Sequence, residues 1–223
     1  FWDIKIFDYS HDINKNYNYY PNILAVNSKI GFEMLNEINT EKNIYKVEPL
    51  RAKFLIKLNN NLTKIKKDSF GILFLGGLHV ELTNEVIKNM YKLINEKINK
   101  NNIIKFRFHP GYINNKIVNT KEIDDHLDIY EAINKNDIII VTGDTSSSID
   151  AYRLKKNIII YLGSKFLNIN PLRKFKNIEV SRNIHDLRKQ INYFSGLNNK
   201  PNNEINEYYY EDKYLKRWIE LLS

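Results

Sequence analysis

From Phe70 onward the apolar residues fall in short unbroken runs separated by amphipathic stretches. This is the pattern expected of parallel strands covered on both faces. GILFLGG, IIKFRFHP, DIIIVTGD and NIIIYLG are four such runs, and IEVS is a short fifth. Helical spacing joins them over about Thr83 to Asn99, around Asp125 to Ile133, and again through TSSSIDAYRLKK. Strands alternating with helices imply right-handed crossovers and a doubly wound parallel sheet, so the fold class is α/β of Rossmann type.

The chain before Phe70 carries a smaller copy of the same alternation. NILAVNS reads as a buried strand, Lys29 to Ile38 places Ile30, Met34, Leu35 and Ile38 on one helical face, and IYKVEPL supplies another β-prone run. Residues Phe1 to Tyr20 have no sustained period and read as a strand or turn followed by an Asn-rich loop. The Lys- and Asn-rich segment LIKLNNNLTKIKKDS reads as a domain boundary. After an Asn-rich linker at Leu197 to Asn206, Tyr214, Leu215, Trp218 and Leu222 form a helical stripe suited to packing. Three parts follow: residues 1–66 as the end of one domain with its linker, 67–198 as a complete α/β domain, and 199–223 as a linker and packing helix.

Composition narrows the function. With 43% hydrophobic and 13% aromatic residues the chain has the means to bury a core, which excludes a disordered polymer. The absence of cysteine excludes disulfides and thiolate metal sites, and fits a reducing cytoplasm. No apolar stretch approaches the ~18 to 20 residues of a membrane span, and the opening FWDIKIF has no signal-peptide pattern, so the chain reads as a cytoplasmic piece of a longer protein. The formal charge of +8 suits an anionic partner. Its lysines are scattered and not interleaved with aromatics, so nucleic acid is not expected as a partner. A basic surface also leaves room for peripheral contact with the inner face of the cytoplasmic membrane.

In an open parallel sheet, ligands bind beyond the carboxyl ends of the strands, where helix N-termini direct free amides outward. Three segments fall there. Gly76 and Gly77 close the first strand; they either let amides approach a phosphate or simply make a tight turn. His109 and Pro110 close the second, with Arg107 two residues earlier. The imidazole either caps its loop or, aimed by Pro110, donates to a phosphate oxygen or protonates a leaving phosphate. GDTSSSIDAY follows the third strand. Asp144 or Thr145 there suits an N-cap, while Thr145 and Ser146 at the helix start offer hydroxyls beside the positive dipole end. Asp150, one turn on, is placed to accept ribose hydroxyls. No zinc spacing, Walker lysine, G-x-S-x-G elbow or GxGxxG fingerprint is present.

Taken in order, FRFHP, TSSSIDAY, LNINPLR and YLKRWIELL, with FWDIKIF, ILAVNS and VEPLRAKFL before them, resemble a family of bacterial surface-carbohydrate biosynthesis proteins. That family is allied in fold to bacterial sialyltransferases and to capsule enzymes that transfer acidic sugars. The resemblance implies a GT-B fold: two Rossmann-like domains, the C-terminal one binding a nucleotide-activated donor without a metal or other cofactor. It implies a CMP-linked nonulosonic acid of sialic, legionaminic or pseudaminic type as donor and a glycan or glycolipid as acceptor. It assigns phosphate contacts to His109, Thr145, Ser146 and Ser147, and a loop beside the nucleotide to Asn168, Pro171 and Arg173. Asp150 stands where the family has Glu and is one methylene shorter, and Asn170 replaces a Ser. The catalytic base is expected from the N-terminal domain, most of which this chain lacks, so it is expected to bind nucleotide and to transfer sugar poorly. Two other readings stay open: a transferase using a CDP-linked polyol such as CDP-glycerol, and a non-catalytic carbohydrate-assembly domain.

Overall fold

A computed structural model of the chain describes residues 23–38, 43–50, 70–96, 102–112, 118–173, 175, 178–196, 208–210, 212 and 214–223. The readings of Phe1 to Tyr20, of LIKLNNNLTKIKKDS and of the linker at Leu197 to Asn206 lie outside the described residues. The chain divides into two units, residues 1–62 with 204–223, and residues 63–203.

The first unit holds β1 (Ile23–Val26), α1 (Lys29–Ile38) and β2 (Asn43–Lys46), the two strands pairing in parallel. Ser28 accepts the Gly31 amide on its hydroxyl at 3.1 Å, which starts α1 where the apolar spacing begins. The tail helix belongs to this unit, and its expected packing stripe does not form: Tyr214 is 63% exposed and Leu222 78%. Polar contacts anchor it instead. Arg217 Nη1 donates to the buried Glu48 carboxylate at 2.9 Å, and Trp218 Nε1 donates to the Glu48 carbonyl at 2.7 Å.

The second unit is a doubly wound, Rossmann-like α/β domain. Its elements run β3 (Phe70–Leu75), α2 (Val80–Asn95), β4 (Asn102–Arg107), α3 (Ile129–Lys135), β5 (Ile138–Thr142), α4 (Ser147–Arg153), β6 (Asn157–Tyr161), β7 (Glu179–Ser181) and α5 (Ile184–Gly196). All five strands are parallel, in the order β4-β3-β5-β6-β7. Alternation sorts their side chains. Ile72, Phe74, Ile138, Ile140, Ile159 and Tyr161 pack with Leu82, Val86, Ile87 and Met90 of α2 and with Leu187, Ile191 and Phe194 of α5. The intervening Leu73, Leu75, Ile139, Val141, Ile158 and Ile160 face the other way and are equally buried. On that side α3 packs on β3, and α4 on β5 and β6. Each such side chain, fully buried, stabilises the fold by about 1.5–3 kcal/mol.

Element boundaries depart from the sequence reading for local reasons. α2 begins at Val80, three residues before Thr83, because the two residues that precede it are held by another loop. α3 begins at Ile129 and not Asp125, since the Asp128 carboxylate accepts the Tyr130 amide and caps it there. α5 is a helix that the sequence reading passes over.

Candidate functional site

The order β4-β3-β5-β6-β7 places the reversal of the winding between β3 and β5. Crossovers leave these neighbouring strands toward opposite edges of the sheet, and a crevice opens at their carboxyl ends. Gly76 and Gly77 lie at one lip, Gly143 and Asp144 at the other. Asp144 bridges them: its Oδ2 accepts the Leu78 amide at 2.7 Å and the His79 amide at 3.2 Å. Gly77 therefore makes room for a partner that the sequence reading did not name. A Cβ on Gly77 would lie 2.0 Å from Asp144 Oδ1, so the missing side chain admits a carboxylate of the protein itself. The Gly76 amide is likewise committed, donating to the Arg107 carbonyl at 2.9 Å.

The hydroxyl-rich turn after β5 divides into inward and outward members. Thr145 is buried, its Oγ1 2.7 Å from Thr142 Oγ1. Ser148 is fully buried, and its single hydroxyl proton is shared between the Thr145 carbonyl and Asn170 Oδ1, each at 3.0 Å. Ser146 and Ser147 are only half-buried. Neither Asp144 nor Thr145 is the N-cap: that position is Ser146, and its side chain makes no capping bond. Asp144 is drawn to the neighbouring loop and Thr145 to Thr142, which leaves the Ser146 and Ser147 hydroxyls as the turn's partly exposed ones.

His109 is exposed at the end of β4, in a turn closed by the Tyr112 amide donating to the His109 carbonyl at 2.8 Å, with Pro110 and Gly111 at its corners. The Gly111 amide donates to His109 Nδ1 at 3.0 Å. A ring nitrogen that accepts carries no proton, so the neutral imidazole keeps its N–H on Nε2 as a donor. Arg107 serves elsewhere. Its Nη1 donates to the carbonyls of Asp124 and Leu127, holding the segment before α3. β3 lies between β4 and β5, so the strand ends carrying His109 and Thr145 are two spacings apart, about 10 Å.

Asp150 is 5% exposed, within the buried side of α4. The LNINPLR loop closes over the same turn. Asn168 Oδ1 accepts the Asn170 amide at 3.1 Å, Pro171 is buried, and Asn170, fully buried, accepts from both Ser148 and the Leu172 amide. Arg173 is exposed and donates through Nη1 to the Asn170 carbonyl at 3.2 Å.

Sequence reasoning did not single out His79, Phe166, Glu85 or Tyr161. His79 and Phe166 lie against each other with ring centroids 5.5 Å apart. Tyr161 ends β6, donates to Glu85 at 2.6 Å and accepts from Asn89 at 2.7 Å. Burial, then the Glu85 carboxylate, push its hydroxyl well above the usual tyrosine range. Gly163 follows with φ +62, against Glu85. The polar spacing E-x-x-x-N, Glu85 and Asn89 one turn apart and half-buried on α2, is the signal in the sequence that pointed here.

Among the described residues, no group of three or more His, Cys, Asp or Glu side chains could hold a metal ion, and no helix is long and apolar enough to cross a membrane. No protein-family model matches the sequence, and no curated protein matches it.

Proposed function

We propose that residues 63–203 form the donor-binding domain of a metal-independent, GT-B-type sugar transferase that takes an acidic sugar from a CMP-linked donor. The observation that carries this reading is the clustering of the partly exposed Ser146 and Ser147 hydroxyls beside the reversal of a parallel sheet, with the His109 Nε2–H donor at the same end of the sheet. Such reversals are where doubly wound domains bind nucleotides. The resemblance of FRFHP, TSSSIDAY and LNINPLR to the surface-carbohydrate family supports the choice of CMP.

Departure of CMP needs stabilisation of charge on its phosphate more than it needs a nucleophile. In this reading Ser146 and Ser147 donate to the phosphate from one side and His109 Nε2 from the other. A phosphate with a hydrogen bond of about 2.8 Å on each flank spans most of the distance between the two strand ends. Thr145, Ser148 and Asn170 hold the turn in shape, Asn168 and Pro171 wall it, and Arg107 fixes the neighbouring segment without touching the ligand. Gly76 commits its amide to the Arg107 carbonyl, and Gly77 gives the Asp144 carboxylate its room. Asp150 is left without a ribose contact.

Calorimetric titration of the chain with CMP and with CDP-glycerol tests the proposal. CMP is expected to bind, with affinity lowered about tenfold or more by Ser146→Ala, the loss of one hydrogen bond to a charged group. Binding of CDP-glycerol without CMP would replace the donor class, and no binding of either at millimolar ligand would favour a non-catalytic domain.

A further inference from the structure

A carboxylate at the positive end of a helix is stabilising, and a second anion brought to the same place meets its repulsion. α2 is the longest helix of the second unit, and its N-terminus opens at the sheet reversal, the place where a phosphate would otherwise be drawn. Asp144, contributed by a loop some 65 residues away, sits at that end and takes the two amides that lead into the helix. Its second oxygen, Oδ1, is buried and accepts no hydrogen bond, lying over Gly77 where no side chain fits. That covered oxygen costs desolvation, which the two bonds to Oδ2 offset, so the carboxylate is held in place by the Leu78 and His79 amides.

We infer that Asp144 is a specificity-determining residue, an internal anion that closes the Leu78 and His79 amides at the sheet reversal to phosphate and leaves a phosphorylated ligand to the side-chain donors of Ser146, Ser147 and His109. The choice of donors rests on the reading proposed above; the closure of the two amides does not. Two negative groups cannot share one pair of amides, so the protein's own carboxylate decides which donors an incoming phosphate can use. The seat is reserved by chemistry in both adjoining loops: Gly77 gives the carboxylate room, and the main chain at Leu78 and His79 gives it donors.

The experiment is titration of the full chain with inorganic phosphate and with CMP, followed by amide NMR, for the wild type, Asp144→Ala and Asp144→Asn. Asp144→Ala empties the seat. Inorganic phosphate is then expected to bind at least tenfold more tightly than to the wild type, with the amide signals of Leu78 and His79 moving. Asp144→Asn keeps a neutral acceptor in place and guards against loss of folding. It should bind phosphate more tightly than the wild type by a smaller factor, with those two amides still. If neither variant gains phosphate affinity, or if wild-type Leu78 and His79 amides already respond to phosphate, the inference is overturned. Failure of CMP to bind any of the three proteins would overturn the donor-binding reading and the choice of donors, while the phosphate result on Asp144→Ala would still decide the closure of the two amides.

Discussion

Asn170 Oδ1 receives the Ser148 hydroxyl at 3.0 Å and the Leu172 amide at 3.0 Å, with both side chains fully buried. One amide side chain thus fastens the loop after β6 to the start of α4. Asn170→Ala leaves the Leu172 amide without its acceptor in a dry place, and a stability loss of about 1–3 kcal/mol is expected. Denaturant unfolding measures it directly. A loss below about 0.5 kcal/mol would mean that the loop is held by something else.

Thr145 and Ser146 are adjacent, yet they should fail differently. Thr145→Val removes the 2.7 Å contact with Thr142 and strands a buried hydroxyl, so stability should fall by about 1–3 kcal/mol while CMP affinity in the folded protein stays within about twofold. Ser146→Ala should do the reverse, sparing stability and weakening CMP. Paired melting and titration curves for the two variants distinguish the roles.

Gly77→Ala places a methyl group 2.0 Å from Asp144 Oδ1, so either the carboxylate or the turn must move. Overpacking of this kind costs about 1–3 kcal/mol. The double variant with Asp144→Ala removes the obstruction, and the combined loss should be smaller than the sum of the two single losses. Additive losses in a double-mutant cycle would contradict the contact.

Alkaline stability carries the mark of Tyr161. Burial and then Glu85 raise its folded pKa above the ordinary 10, so from about pH 10 upward the unfolded chain loses a proton that the folded chain keeps. Its contribution to stability is therefore whole below that pH and declines as pH rises through it. Tyr91 and Tyr112, both also raised with burial as the first cause, act in the same direction. Tyr161→Phe should unfold less steeply between pH 10 and 11 than the wild type, although it loses the bonds to Glu85 and Asn89 at neutral pH. Equal slopes in pH-dependent denaturation would remove Tyr161 from the account.

Much of the fold was written in local pattern. The limits of α1 coincide with the expected Lys29 to Ile38, and each apolar run from GILFLGG to NIIIYLG became a strand. α5 escaped because its buried stripe is only Leu187, Ile191 and Phe194, embedded in polar residues. That spacing of four and three is helical, so the signal was there but thin. The candidate residues were legible as a neighbourhood at one end of the sheet and not as a set of contacts. Which hydroxyls turn inward depends on Asn170, which lies 22 residues beyond Ser148, and the use of Gly77 depends on Asp144, which lies in a different loop. The tail misled for a similar reason: Trp218 finds the carbonyl of Glu48, 170 residues away, and no period along the helix encodes that bond.

The most direct trial of the central claim is a crystal structure of the chain grown with CMP. The account expects the phosphate within hydrogen-bonding distance of Ser146 or Ser147 Oγ, with His109 Nε2 on its other flank and Asp144 still seated on the Leu78 and His79 amides. A phosphate held on those two amides, or lying away from both the serine turn and His109, would contradict it.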